Sequence, residues 1–231
     1  MFGRKRARRA AVLGAAGLSA CALLAACSPV KLGAAAIVGN QRITTSALDT
    51  QVANLQASAA PYAGKVQLTT AQMPTAVLSW LVRFSIMDQL AASAGISLTQ
   101  SQVQAGVASI DSQAASGASQ EGYTSGAEVL VGAGISPQML TSVGRYQADE
   151  IAYAEKVNGG KLPATTAQSN TVTAALDKAQ CRAAKSLNIQ ISPQFGRMDY
   201  SQYAVVATSN TLSQPEGVPS PASTTGLTPA C

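Results

Sequence analysis

The sequence predicts a mainly α-helical protein with short β-strands on both sides of the helical region. Two observations carry that fold class. Apolar residues recur at helical spacing in six segments between residues 45 and 187, several opened by a Thr or Ser suited to a helix N-cap. Short β-branched runs lie outside those segments, near residues 34–43 and 189–207.

Taken in order, Ala34 to Val38 and Gln41 to Ile43 flank Gly39-Asn40, two residues that accept the positive φ angles of a hairpin turn. Thr44 and Thr45 suit the cap of a helix carrying Leu48, Val52, Leu55 and Ala59 at helical spacing. Residues 60–72 read as a loop. Pro74 then suits a first helical turn, and a strongly apolar helix runs to about Ala94. Val77, Trp80, Leu81, Phe84, Met87 and Ala91 form one face, and Leu78, Val82, Ile86 and Leu90 widen it. Arg83 and Asp88 argue against a membrane span, so this is expected to be the central buried helix.

Gly95 ends that helix, and Thr99 with Gln102 forms a capping box for the next, with Val103, Val107, Ile110 and Ala114. The Gly/Ser-rich stretch 113–125 is expected to be mobile, before a short helix near Ala127 to Val131. Ser136-Pro137 reads as a cap and first-turn proline for a helix with Met139, Val143, Tyr146, Tyr153 and Val157 on one side. Residues 158–170 read as a loop, and Thr171 to Ser186 as a helix with Val172, Leu176, Ala179, Ala183 and Leu187 in register. Ile189 to Ile191 and Tyr203 to Ala207 read as strands around a turn, and residues 209–231 as a disordered Ser/Thr/Pro-rich tail.

The N-terminus has its own logic. Five cations among residues 1–9 precede 17 uncharged residues, Ala10 to Ala26, rich in Ala and Gly. That describes a secretory signal peptide; a membrane-spanning helix needs about 20 strongly apolar residues. Leu24-Ala25-Ala26-Cys27 resembles the bacterial lipobox, which implies removal of residues 1–26 and lipidation of Cys27. Residues 27–33 are then a tether to the outer face of the membrane, held by more than one acyl chain because a single chain binds reversibly.

Loss of residues 1–26 takes five of 16 cations and none of 11 acids, leaving a neutral chain. A neutral chain without a basic patch excludes the electrostatic footprint of a nucleic-acid binder. Cys181 and Cys231 then remain as a possible disulfide, in a compartment that permits one. Two free thiols are the alternative.

The order of segments resembles the SurA/PrsA class of extracytoplasmic chaperones. AAAIVGNQRITTSALDTQV from Ala34 resembles its opening, and LSWLVRFSIMDQLAASAGISLTQSQVQAGV from Leu78 its long apolar helix, connection and polar helix. GAGISPQMLTSVGRYQADEIAYAEKV from Gly132 and ISPQFGRMD from Ile191 continue the pattern. The resemblance runs from Ala34 to Val206 and implies a SurA N-terminal-like helical domain over residues 34–208, with N- and C-terminal strands meeting beside it. Many members carry a parvulin prolyl-isomerase domain before the last helix; here only residues 158–170 stand there.

The chain has no His, which removes Ser-His-Asp and Cys-His nucleophile pairs and most catalytic zinc sites. GAGIS before Pro137 lacks the Lys of a phosphate loop and reads as a turn. Asp149-Glu150 reads as a solvated pair. No enzyme activity, cofactor or metal is expected. Met139, Tyr146 and Tyr153 are the candidate peptide-binding residues, since Met and aromatics adapt to varied partners, although that spacing equally describes core. The expectation is a membrane-anchored lipoprotein binding unfolded or newly exported polypeptides; the alternative is an envelope scaffold docking one folded partner.

Overall fold

The computed structural model describes residues 33–208. Residues 1–32, where the signal peptide and Cys27 are expected, and residues 209–231 with Cys231 lie outside the described residues. Strand β1 (Ala34–Val38) turns at Gly39 into β2 (Gln41–Thr44), and six α-helices follow among the described residues: α1 (Thr45–Ala59), α2 (Met73–Ser93), α3 (Gln100–Glu121), α4 (Gly126–Gly132), α5 (Leu140–Val157) and α6 (Thr166–Ser186). Three short strands close the described chain: β3 (Gln190–Ile191), β4 (Arg197–Asp199) and β5 (Ala204–Val206). No helix among the described residues is long and apolar enough to cross a membrane.

The N- and C-terminal strands meet as expected. β1 is the middle strand of a sheet ordered β2-β1-β3, antiparallel on both sides, with Val38 opposite Gln41 and Ala36 opposite Ile191. The last two strands do not form a hairpin around one long turn. Part of that segment is itself a strand, β4, which pairs with β5 (Met198 opposite Val205) while β3 joins β1.

Helix α2 is the centre of the molecule. Its row Leu78, Val82 and Ile86 is at most 1% exposed, whereas Trp80, Leu81 and Phe84 on the neighbouring row are only half-buried. Val77, Met87 and Ala91 of that neighbouring row are buried as well, so both rows contribute to the core. The Leu78, Val82 and Ile86 row meets Leu48 and Leu55 of α1, Ala35, Ala36 and Val38 of β1, and Ala184 of α6 in one continuous core.

Three boundaries differ from the sequence reading, each for a local reason. Helix α3 runs through the Gly/Ser-rich stretch to Glu121, because Ala114 and Ala118 are buried and Gly126 lets α4 approach the α3 backbone. Gly122 stops it in the left-handed conformation (φ 76°). Helix α6 begins at Thr166 because Thr165 and Gln168 form a second capping box, leaving only residues 158–165 as connection. Pro137–Met139 is a 3₁₀ turn ahead of α5, and the Ser136 side chain caps nothing.

Candidate functional site

Residues on three elements make an open cleft of about 420 Å³. Gln89 and Leu90 come from the C-terminal half of α2, Tyr153 from α5, and Arg182, Ala183 and Leu187 from α6 and its end. One end is fixed by the β1–β2 turn. Gly39 N–H donates to Leu187 O (2.7 Å), and Gln89 Nε2 donates to Val38 O (2.9 Å). Gly39 has φ 58°, and a Cβ there would lie 2.5 Å from Gln89 Oε1 and 2.8 Å from Leu187, so this turn requires glycine. Lys156 Nζ donates to Ala94 O (2.5 Å), tying α5 to the end of α2.

Behind the cleft the rings of Trp80, Phe84 and Tyr146 form a triangle with centroids 5.8–6.3 Å apart. Trp80 Nε1–H donates to Ala133 O (2.9 Å), so the indole is held at both its face and its edge. Arg83 lies over the Trp80 ring (5.3 Å) and donates from Nε to Tyr203 O (2.9 Å). That last bond steadies a tyrosine held at φ 51°.

Asp149-Glu150 is not a solvated pair. Asp149 is 2% exposed and Glu150 is half-buried, because α5 turns both toward α2 and α6. Gln180 Nε2 reaches Glu150 Oε1 (2.9 Å) and the Tyr146 hydroxyl (3.2 Å), which joins α5 to α6. Burial raises the Glu150 carboxyl above its ordinary range, against the lowering effect of hydrogen bonds from Tyr146 and Gln180. Burial pushes the Asp149 carboxyl up to about 6, with Asp88 raising it and Arg145 opposing. The Tyr203 hydroxyl, buried and without a hydrogen-bond partner, is pushed well up for the same reason. These groups are structural neighbours. Among the described residues no three His, Cys, Asp or Glu side chains gather as a metal site.

The three candidate peptide-binding residues separate. Met139 is 2% exposed in the core, Tyr146 sits in the aromatic triangle, and Tyr153 alone lines the cleft. Cys181 is disulfide-bonded and 8% exposed on α6; Cys231 and Cys27 lie outside the described residues. Sequence reasoning missed Gln89, Arg182 and Asp149. The signal for Asp149 was present, since residues 146, 149, 150 and 153 share one helical face. A second hollow of about 400 Å³ lies between α3, α4 and the start of α5, lined by Leu130, Val131, Ile135 and Leu140.

The family description SurA-like N-terminal domain matches residues 12–142, more than half of the sequence. The chain belongs to the SurA-like N-terminal domain family. Comparisons with curated proteins and with solved structures return no match. The SurA-like match takes in β1 to the first turn of α5 and stops before Tyr146, Asp149 and Tyr153. Of the cleft it therefore covers the α2 wall, while α5 and α6 supply the other walls from beyond it.

Proposed function

We propose that this SurA-like protein is a lipid-anchored, chaperone-like module that transiently holds unfolded or newly exported polypeptide at the extracytoplasmic face of the cell membrane. Membership of a chaperone-like family supports the class of activity. The single observation that carries the reading is the cleft, whose lining mixes apolar Leu90, Ala183 and Leu187 with Tyr153 and polar Gln89 and Arg182. Apolar burial, at roughly 25 cal/mol per Å² before the cost of ordering the client, supplies weak and unselective affinity. Arg182 offers donors to an extended backbone, and Gln89, whose Nε2 is engaged by Val38 O and Ser85 O, offers its Oε1 as an acceptor. The connection between α5 and α6, residues 158–165, is too short for a catalytic domain, which supports a module without prolyl isomerase activity. Cys27 after the uncharged run supports the anchor.

The test is suppression of aggregation of a denatured client by the purified mature protein. Tyr153→Ala is expected to weaken it several-fold with an unchanged melting temperature, whereas Met139→Ala lowers stability instead. Equal effects of the two on client protection would remove the cleft from the mechanism. Radiolabelled palmitate should enter the wild type and not Cys27→Ser. Crosslinking in cells that captured one stoichiometric folded partner would replace this reading with the scaffold alternative.

A further inference from the structure

A charged seam between α2 and α5 adjoins two of the residues that line the cleft. Asp149 lies one helical turn before Tyr153 on the same face of α5, and Asp88 immediately precedes Gln89 on α2. One guanidinium serves both carboxylates: Arg145 Nε is 2.9 Å from Asp88 Oδ1 but 3.9 Å from Asp149 Oδ2. Asp149 Oδ2 is buried with no hydrogen-bond partner. A carboxylate so placed loses its hydration and gains little in return.

We infer that this seam is a proton-operated latch on the cleft: protonated Asp149 lets α5 lie against α2 with the cleft narrow, and ionised Asp149 drives α5 away from α2 and widens it. The latch regulates the site proposed above and rests on that reading for its function. On α2, Asp88 faces Asp149 and Arg83 faces Glu150. Arg145 opposes from α5 itself, and Asp177 and Gln180 of α6 face Glu150 rather than Asp149. Tyr203, before β5, also neighbours Glu150. Helix α3 meets the opposite face of α5 at Gly106 and Gly144, and its Asp111 lines the second hollow. The 3₁₀ turn Pro137–Met139 carries no charge.

The sign follows from linkage. The closed arrangement holds its proton up to about pH 6, whereas an opened, hydrated aspartate returns toward about 3.9. Protons therefore favour closure below about pH 4, and that bias is lost as pH rises through 6. Each unit of difference in proton affinity is a tenfold bias between the two arrangements.

Trp80, the one tryptophan of the chain, packs on Tyr146 of α5 and reports the seam without any client. The experiment titrates Trp80 emission of the mature protein from about pH 4.5 to about pH 8. In parallel it measures binding of reduced, carboxymethylated α-lactalbumin, a permanently unfolded probe. The wild type is expected to show an emission midpoint between about 4 and 6 and about fivefold tighter probe binding above it than below it. Asp149→Asn should flatten both curves with weak binding throughout, and Glu150→Gln should keep the midpoint. Asp88→Asn should lower the midpoint by removing the like charge, which tests the seam independently of the Asp149 variant. A flat wild-type emission curve, or a midpoint that survives in Asp149→Asn, overturns the latch whatever the probe does. An emission midpoint with pH-independent binding overturns its coupling to the cleft. A normal emission titration with no probe binding at any pH instead removes the client reading and supports the proton-driven movement.

Discussion

At the crossing of α3 and α5 single residues decide whether the fold closes. A Cβ on Gly106 would overlap the carbonyl of Gly144, and a Cβ on Gly144 would overlap Val107. Both helices touch here backbone to backbone, so neither can yield by rotating a side chain. Gly144→Ala is therefore expected to destabilise by roughly 1–3 kcal/mol or more through overpacking, read as a lower urea midpoint at constant slope. Gly117 of α3 has nothing within 4 Å of its would-be Cβ. Gly117→Ala is expected to stabilise by about 0.5–1 kcal/mol, because only the helix-propensity term remains. Asp149 makes a second residue-scale prediction. Its folded carboxyl is raised to about 6, so the folded state binds the proton more tightly than the unfolded one between about pH 4 and 6. Stability from this group is present below that window and lost as pH rises through it. Asp149→Asn should thus be more stable than wild type at neutral pH, by on the order of 1–2 kcal/mol, with the advantage gone near pH 4. Equal advantage at both pH values would show that the carboxylate is solvated after all.

Helices show what the sequence made legible and what it did not. Thr99 with Gln102 was readable as a capping box and is one, with Gln102 N–H on the Thr99 hydroxyl and the Gln102 side chain on Thr99 N–H (2.8 Å). Thr165 with Gln168 has the same spacing and the same bonds, yet α6 had been expected to start at Thr171. The first turn of α6 buries nothing apolar before Val172, so periodicity gave no help and the cap was the only signal. For the same reason Asp149 and Glu150 were misplaced: charge suggested solvent, while their position on the Tyr146–Tyr153 face pointed inward. Strand β4 was hidden because its register is set by β5, seven residues on, rather than by alternation of its own. Since the α6 cap stands clear of tertiary packing, its loss should fray one end and spare the rest. Thr165→Ala is expected to cost about 1 kcal/mol. Amide exchange should rise over residues 166–171 while α2 remains protected; uniform loss of protection would mean that α6 folds as one with the core.

At the scale of the whole molecule, the two ends of the helical domain are sewn together twice. Backbone pairing joins β1 to β3, and Gly39 N–H holds Leu187 O at the end of α6. A further tie starts from Cys181, which is disulfide-bonded within the α6 face that packs inward. Its partner bears on the anchor as well as on stability. If Cys27 carries lipid and residues 1–26 are removed, Cys231 is the one thiol left for it. Pairing of Cys181 with Cys231 closes a loop of about 50 residues, worth up to roughly 4 kcal/mol in the chain-entropy view. Reduction of the mature protein, or Cys231→Ser, should then lower the urea midpoint by the same amount, and reduction should do nothing further to the variant. Non-reducing peptide mapping should recover residues around 181 and 231 in one fragment. If the variant still loses stability on reduction, the partner is an N-terminal cysteine. Where that cysteine is Cys27, the thiol cannot also carry a thioether-linked lipid, so one mapping experiment decides the bridge and the anchor together.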